Sequence, residues 1–160
     1  MNERPAEFDP LEYLRHELEH PPFHALLKPQ AVAADAASGT VVIRLPFSPT
    51  LLGAAGANFV HGGVIAALID MAAHAAVAIQ IRRMAPTVDL RIDYLIPAAA
   101  ADLTATARAL RVGRAIARVD VEITGHDGSL YAVGRGTFST LAPIERTKQP
   151  ESASECVRSA

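Results

Sequence analysis

Residues 61–81 read HGGVIAALIDMAAHAAVAIQI, and this stretch decides how the chain folds. It has no alternation, no proline and many alanines, which predicts a helix of about five turns. The helix is apolar on nearly every side, so we expect other elements to cover it all round. A membrane span would place the carboxylate of Asp70 in the bilayer at high cost, which favours a buried helix in a soluble protein.

The sequence after Pro86 changes to a period of two, which is typical of strands. We predict a half-buried strand over residues 87–96, followed by strands over 103–112, 115–123 and 130–141. The expected buried face of the first strand consists of alternate apolar residues: Val88, Leu90, Ile92, Tyr94 and Ile96. Turns are predicted at Gly113 and at residues 125–128.

The sequence before the apolar stretch predicts a short helix from Pro10, capped by Asp9, to about His20. Residues 31–37 and 40–47 flank a Ser-Gly turn and predict a hairpin. The whole order indicates an α+β fold in which a mostly antiparallel sheet wraps one long helix. We expect an N-terminal helical extension over residues 1–25, one domain over 26–142 and a polar, disordered tail over 143–160.

The composition limits the classes of function. The chain of 160 residues has a formal net charge of -2, and a nucleic-acid-binding face needs a basic surplus. The single cysteine, Cys156, cannot form a disulfide within one chain, and residues 1–10 do not resemble a signal peptide. We therefore expect a cytoplasmic protein that binds neither nucleic acid nor membranes.

Asp70 is the only carboxylate between residues 62 and 79. An unpaired buried charge is costly, so such a group is paired, has a shifted pKa or has a function. The structural alternative is a carboxylate that caps a neighbouring element or binds an arginine of a strand.

His61, Gly62 and Gly63 open the same helix. The first amides of a helix lack partners within it, and glycine lets a ligand approach the backbone, so the Gly62 amide is a candidate oxyanion donor. Alternatively, the glycines only permit a tight turn. Asp70 lies eight residues further on, about 12 Å along the axis, too far for both groups to reach one carbonyl. Two antiparallel copies could bring them together, which predicts a dimer.

The runs HGGVIAALID at 61–70 and PTVDLRIDYLIPA at 86–98, with VGR at 112–114 and GTF at 136–138, resemble the hotdog-fold thioesterases related to the phenylacetate-pathway enzyme. The resemblance covers about residues 38 to 141. It implies side-by-side dimers, often paired into tetramers, that hydrolyse acyl-CoA thioesters without a metal or a cofactor.

The resemblance also implies roles for individual residues. Asp70 would be the nucleophile or general base, the Gly62 amide the oxyanion donor, and Thr87 a helper near the attacking water. The CoA nucleotide would meet Gly113, Arg114 and Ala115. Apart from these family roles, we expect Asn58, His61, Gly63 and His74 to bind the substrate. Arginines 111, 114 and 118 would suit a phosphate, although ordinary solvated strand charge is the alternative.

The chain departs from the family pattern at Ala55, where many members carry Asn or Gln; either Asn58 takes that role or nothing does. His74 lies one turn after Asp70 and could polarise it, protonate the leaving thiolate or simply bind it. The run from His16 to His20 matches a zinc-protease pattern, but prolines end its helix at once and no third ligand follows at a suitable distance. A non-catalytic acyl-CoA binding protein and a hydratase of the same fold remain the alternatives.

Overall fold

The computed structural model describes residues 8–141. The predicted tail and Cys156 lie outside them. The helices are α1 (Pro10–Glu19), α2 (His24–Leu27) and α3 (Gly62–Ile81), with a short 3-10 helix at Pro49–Leu51. The strands are β1 (Gln30–Asp35), β2 (Thr40–Leu45), β3 (Thr87–Tyr94), β4 (Leu103–Val112), β5 (Ile116–Gly125) and β6 (Leu130–Ser139).

The six strands form one antiparallel sheet in the order β1-β2-β4-β5-β6-β3, and α3 packs against it. By length and composition α3 could cross a membrane, but most of it is buried, as is usual for a core helix. Its buried side chains, among them Leu68 and Ile69, join those of β2, β4, β5 and β6 in one core. The predicted α+β arrangement, a sheet wrapped around one long helix, is confirmed.

Helix α1 begins where the sequence predicts. The Asp9 carboxylate accepts a hydrogen bond from the Leu11 amide at 2.9 Å, which caps the helix start. Leu14 and Leu18 are buried in the same core as α3, and α1 contacts both β1 and α3. The N-terminal segment is therefore packed onto the core, while the boundary at residue 25 stays a prediction.

Strand β3 differs from the expected half-buried strand. Only Leu90 and Ile92 pack against the core, whereas Val88, Tyr94 and Ile96 are at least half exposed. A bulge causes part of the difference. Thr87 pairs with Phe138 and Asp89 pairs with Thr137, so Val88 between them has no partner in β6. The strand also lies at the edge of the sheet, where nothing in the described chain covers it.

The part of the chain that the structure describes does not cover helix α3 on every side, contrary to the expectation from its composition. Gly63 is exposed, and Ala67, Asp70 and His74 are half-buried. These residues are three or four positions apart and so form one stripe along the helix. We call them the open stripe of α3; Asp70 lies in its middle.

Candidate active site

Asp70 and Thr87 are in direct contact. The Thr87 hydroxyl donates a hydrogen bond to Oδ1 of Asp70, with 2.8 Å between the oxygens. The bulge at Val88 changes which way the end of β3 faces, and this brings Thr87 onto the α3 side. Within residues 8–141 the carboxylate has no other hydrogen-bond partner. Its second oxygen is therefore available to a ligand or water.

A cavity of about 500 Å³ opens beside this pair, and we call it the Asp70 cavity. Its walls come from α3, from the segment that leads into β3, and from the N-terminal helices. The residues that line it are Glu17, Pro21, His24, Asp70, Met71, His74, Met84, Ala85, Pro86 and Thr87. A carboxylate and a hydroxyl at the edge of a partly apolar cavity form a suitable site for hydrolysis of a bound ester.

His74 lies in the same cavity but is bound elsewhere. The Ala85 amide donates a hydrogen bond to its Nε2 at 3.2 Å, which assigns the proton to Nδ1. Nδ1 lies 3.9 Å from a carboxylate oxygen of Glu17. Burial lowers the pKa of His74, although the carboxylates of Glu17 and Asp70 act in the opposite direction. The imidazole is thus a neutral acceptor that holds the segment before β3, and its role toward Asp70 stays a prediction.

His61, Gly62 and Gly63 form the start of α3. Nδ1 of His61 accepts a hydrogen bond from the Gly63 amide at 2.9 Å and caps the helix. Gly62 is the first helical residue, and within residues 8–141 its amide has no acceptor. Its carbonyl accepts a hydrogen bond from the Tyr94 hydroxyl at 3.0 Å. One free amide therefore remains at the positive end of the α3 dipole.

Gly62 and Asp70 open into different cavities. Gly62 borders an apolar cavity of about 340 Å³ that is also lined by Phe59, Tyr94 and Leu95. None of the residues around this second cavity lines the Asp70 cavity. A single chain thus separates the candidate base from the candidate oxyanion donor, as the helix geometry predicts.

The turn between β4 and β5 carries the arginine cluster. Residues Arg111, Gly113, Arg114, Ala115, Ile116 and Arg118 line a depression of about 360 Å³. The Gly113 amide donates to the Ile116 carbonyl at 2.9 Å, and a Cβ at this position would lie equally close to that oxygen, so the turn requires glycine. Arg111 and Arg118 are direct cross-strand neighbours, an arrangement that an anion would stabilise.

Two other predicted features lie away from these cavities. Asn58 and Ala55 are exposed in the loop before α3, where the Asn58 carbonyl accepts a hydrogen bond from the Ala100 amide at 2.9 Å. His16 and His20 stack on each other, with 3.6 Å between their ring centroids. No role for Asn58 toward Asp70 follows from this position.

Sequence reasoning missed three residues near the site. The alternation in the sequence predicts Tyr94 only as part of a buried face, yet its hydroxyl donates a hydrogen bond to the start of α3. Glu17 and His24 belong to the N-terminal helices and line the Asp70 cavity. In the sequence, Glu17 belongs only to the zinc-protease pattern from His16 to His20. That pattern suggests a metal site rather than the wall of a substrate cavity.

Comparisons with known proteins agree with this geometry. The family model of the thioesterase superfamily matches residues 57–132. A protein of Halobacterium salinarum named as an esterase is 32% identical over 127 residues, which are 72% of this chain and 83% of that one. The medium/long-chain acyl-CoA thioesterase YigI of Salmonella typhimurium is 32% identical over 106 residues, 56% of this chain and 68% of that one. The structure of the Escherichia coli PaaI protein, from the phenylacetic acid degradation operon, superposes with a TM-score of 0.70 at 25% identity, covering 81% of this chain and 96% of that one.

Proposed function

Because this chain belongs to the thioesterase superfamily and has its hotdog fold, we propose that it hydrolyses acyl-CoA thioesters to the free acid and CoA. The observation that carries the proposal is the hydrogen bond between Thr87 and Asp70 beside a cavity, with Asp70 on a stripe of α3 that residues 8–141 leave open. The name of the relative YigI supports acyl-CoA as the class of substrate.

The chemistry needs one base or nucleophile and one oxyanion donor. Asp70 either removes a proton from a water that attacks the thioester carbonyl, or attacks it directly to form an anhydride that water then opens. In both routes the C–S bond breaks and CoA leaves as the thiolate, which takes up a proton. Thr87 fixes one carboxylate oxygen and directs the other to the reacting carbon. The Gly62 amide stabilises the negative oxygen of the tetrahedral intermediate.

The proposed site requires two copies of the chain. Within residues 8–141 strand β3 is a sheet edge with unpaired backbone groups. It carries exposed apolar side chains at Val88 and Tyr94, and Leu95 and Ile96 directly after it are exposed as well. Antiparallel pairing of two β3 strands about a two-fold axis would bury these groups and cover both open stripes. It would also bring Asp70 of one copy toward Gly62 of the other. Dimers, alone or paired into tetramers, are therefore part of the proposal.

The arginine cluster is the proposed site for the CoA phosphates. Arg111 and Arg118 face each other across β4 and β5, and within residues 8–141 neither forms an ion pair with a carboxylate. Like charges opposite each other destabilise a sheet unless an anion lies between or beside them. Together with Arg114 they supply the donors that a phosphate or diphosphate group binds.

The hydratase alternative receives less support from the geometry. That reaction needs a histidine that is free to move a proton at the substrate. His61 and His74 each already accept a backbone N–H, from Gly63 and Ala85 respectively. A non-catalytic acyl-CoA binding protein remains the alternative to hydrolysis, and turnover separates the two.

A panel of acyl-CoA substrates with detection of the released thiol tests the proposal. We expect turnover by the wild type and a loss of at least about 100-fold in kcat for Asp70→Asn. The control is Glu122→Gln, which removes an exposed carboxylate of β5, outside the proposed interface and the Asp70 cavity, and should change kcat little. Binding of acyl-CoA without turnover would favour the binding protein, and full activity of Asp70→Asn would exclude Asp70 as the base.

A further inference from the structure

The far wall of the Asp70 cavity comes from the N-terminal helices. Glu17 of α1 and His24 of α2 both line it, together with apolar groups such as Met71 and Met84. Leu14 and Leu18, on either side of Glu17, are buried in the core, so α1 holds this wall in place. Any acyl group that enters the cavity past Asp70 therefore meets side chains of the N-terminal segment.

The carboxylate of Glu17 has few partners among the described residues: the Tyr13 side chain is one, and the other is distant. Its side chain is only 25% exposed, and its nearest cationic or imidazole nitrogen is Nδ1 of His74 at 3.9 Å, beyond hydrogen-bond distance. Among the described residues that line the cavity there is no arginine or lysine. Burial raises the pKa of Tyr13, and so do the charge of the nearby Glu17 carboxylate and a hydrogen bond between the two side chains. One such bond leaves the carboxylate with further lone pairs that can accept from a ligand.

His24 adds a second acceptor to the same wall. Its Nδ1 lies 3.2 Å from the Leu18 carbonyl oxygen, an arrangement in which this nitrogen donates. In the neutral ring Nε2 is then an acceptor. This wall thus has acceptors in Glu17 and His24, next to apolar groups such as Pro21. An alkyl chain placed there would remove water from the carboxylate without replacing its hydrogen bonds, which is costly.

We propose that Glu17 determines substrate specificity by selecting acyl groups that carry a hydrogen-bond donor, such as a hydroxyl, over alkyl groups of the same size. This inference rests on the proposed thioesterase function and on the cavity being the acyl site. Glu17 does not touch the reacting atoms; it binds the distant part of the acyl group. A hydrogen bond to a charged acceptor discriminates by at least about tenfold.

The test uses pairs of equal-sized substrates, because chain length alone then cannot explain a preference. Each pair consists of an ω-hydroxyacyl-CoA and the alkanoyl-CoA in which a methyl replaces the hydroxyl, for example 6-hydroxyhexanoyl-CoA and heptanoyl-CoA. The hydroxyacyl chains range from four to eight carbons. We expect the wild type to favour the hydroxylated member of at least one pair by about tenfold or more in kcat/KM. Glu17→Leu should abolish or reverse that preference, and Glu17→Gln should weaken it.

Glu19→Gln, an exposed change on the same helix, is the matched control and should keep the wild-type preference. If Glu17→Leu lowers kcat/KM by the same factor on both substrates of a pair, Glu17 has a purely structural role and the inference is overturned. The inference is also overturned if Glu17→Leu changes neither value. If the wild type hydrolyses no thioester, the proposed function fails separately. In that case the Kd values of non-hydrolysable thioether analogues of each pair test the role of Glu17. The hydroxylated analogue should bind more tightly to the wild type, and Glu17→Leu should remove this difference.

Discussion

The two edges of the sheet, β1 and β3, have the same local irregularity. Each contains a bulge that leaves one valine unpaired: Val32 in β1, 52% exposed, and Val88 in β3, 63% exposed. The edges differ in what lies next to them. Strand β1 is contacted by α1 of its own chain. In β3, Thr87 lies directly before the bulge and donates a hydrogen bond to Asp70 of α3.

The comparison shows that exposure alone does not identify a functional edge. At β3 the exposed valine belongs to a group of apolar residues that continues to Tyr94 and lies beside the open stripe of α3. At β1 the interior side is already filled by Leu14 and Leu18 of α1. We therefore expect a second copy of the chain at β3, and we expect activity to depend on that edge only.

The largest effect should come from a charge placed at the bulge of β3. Val88→Lys would put an ammonium group into the proposed interface, and an unpaired buried charge costs several kcal/mol, so association should weaken by at least about 100-fold. Thioesterase activity should fall with the dimer fraction. Analytical ultracentrifugation over a range of protein concentrations, with activity measured in parallel, checks both.

Val32→Lys is the matched control, because it places the same charge at the corresponding bulge of β1. It should leave the dimer and the activity unchanged. If Val32→Lys dissociates the protein and Val88→Lys does not, the two edges have been assigned the wrong way round.

A smaller effect is expected from the hydrogen bond that the β3 bulge makes possible. Thr87→Val keeps the shape of the side chain and removes the donor to Asp70, so kcat should fall about tenfold, with a smaller change in KM. Steady-state kinetics on one acyl-CoA measures it. Thr87→Ser keeps the hydroxyl and should recover most of the activity; equal losses in both variants would mean that packing, not the hydrogen bond, matters.

The fold could be predicted from the sequence because its signals are periodic. The unbroken apolar run of α3 and the alternation of the later strands fix the number and order of the main elements. Only the family resemblance, and no local pattern, leads us to expect Thr87 near Asp70. The bulge that directs Thr87 depends on pairing with β6, which no local pattern encodes. The exposure of Val88 and the contribution of Glu17 likewise depend on tertiary contacts between distant segments.

The smallest effect concerns the contact between α3 and the α1 side of the molecule. Burial lowers the pKa of His74 in the folded state below the ordinary value of 6.5. As the pH falls below about 6.5, the unfolded chain therefore binds more protons at His74 than the folded chain does. The free energy of unfolding therefore decreases on acidification, by at most about 1.4 kcal/mol per pH unit for this group. Thermal unfolding between pH 7.5 and about 5.5 should show a smaller decrease of Tm in His74→Gln than in the wild type.

The control for this measurement is His126→Gln, at an exposed turn between β5 and β6. It should keep the wild-type pH dependence of Tm. An identical slope in His74→Gln and in the wild type would show that His74 does not take part in the contact as described.

Two variants that we expect to be inactive allow a test of whether the site is shared between copies. Asp70→Asn removes the base. Gly62→Pro removes only the amide, because proline is well accepted at the first position of a helix and His61 already has the extended conformation that precedes proline. A Cβ at position 62 would lie an acceptable 3.5 Å from the Tyr94 ring. Gly62→Pro should lose at least about 100-fold in kcat, whereas Gly62→Ala, which keeps the amide, should lose little.

The most direct measurement is the activity of an equimolar mixture of Asp70→Asn and Gly62→Pro chains after co-expression, with subunit exchange verified by native mass spectrometry. If each site takes Asp70 from one copy and the Gly62 amide from another, about a quarter of the sites contain both groups, and about a quarter of wild-type activity should return. A fully exchanged mixture that stays as inactive as its two parents would contradict the account.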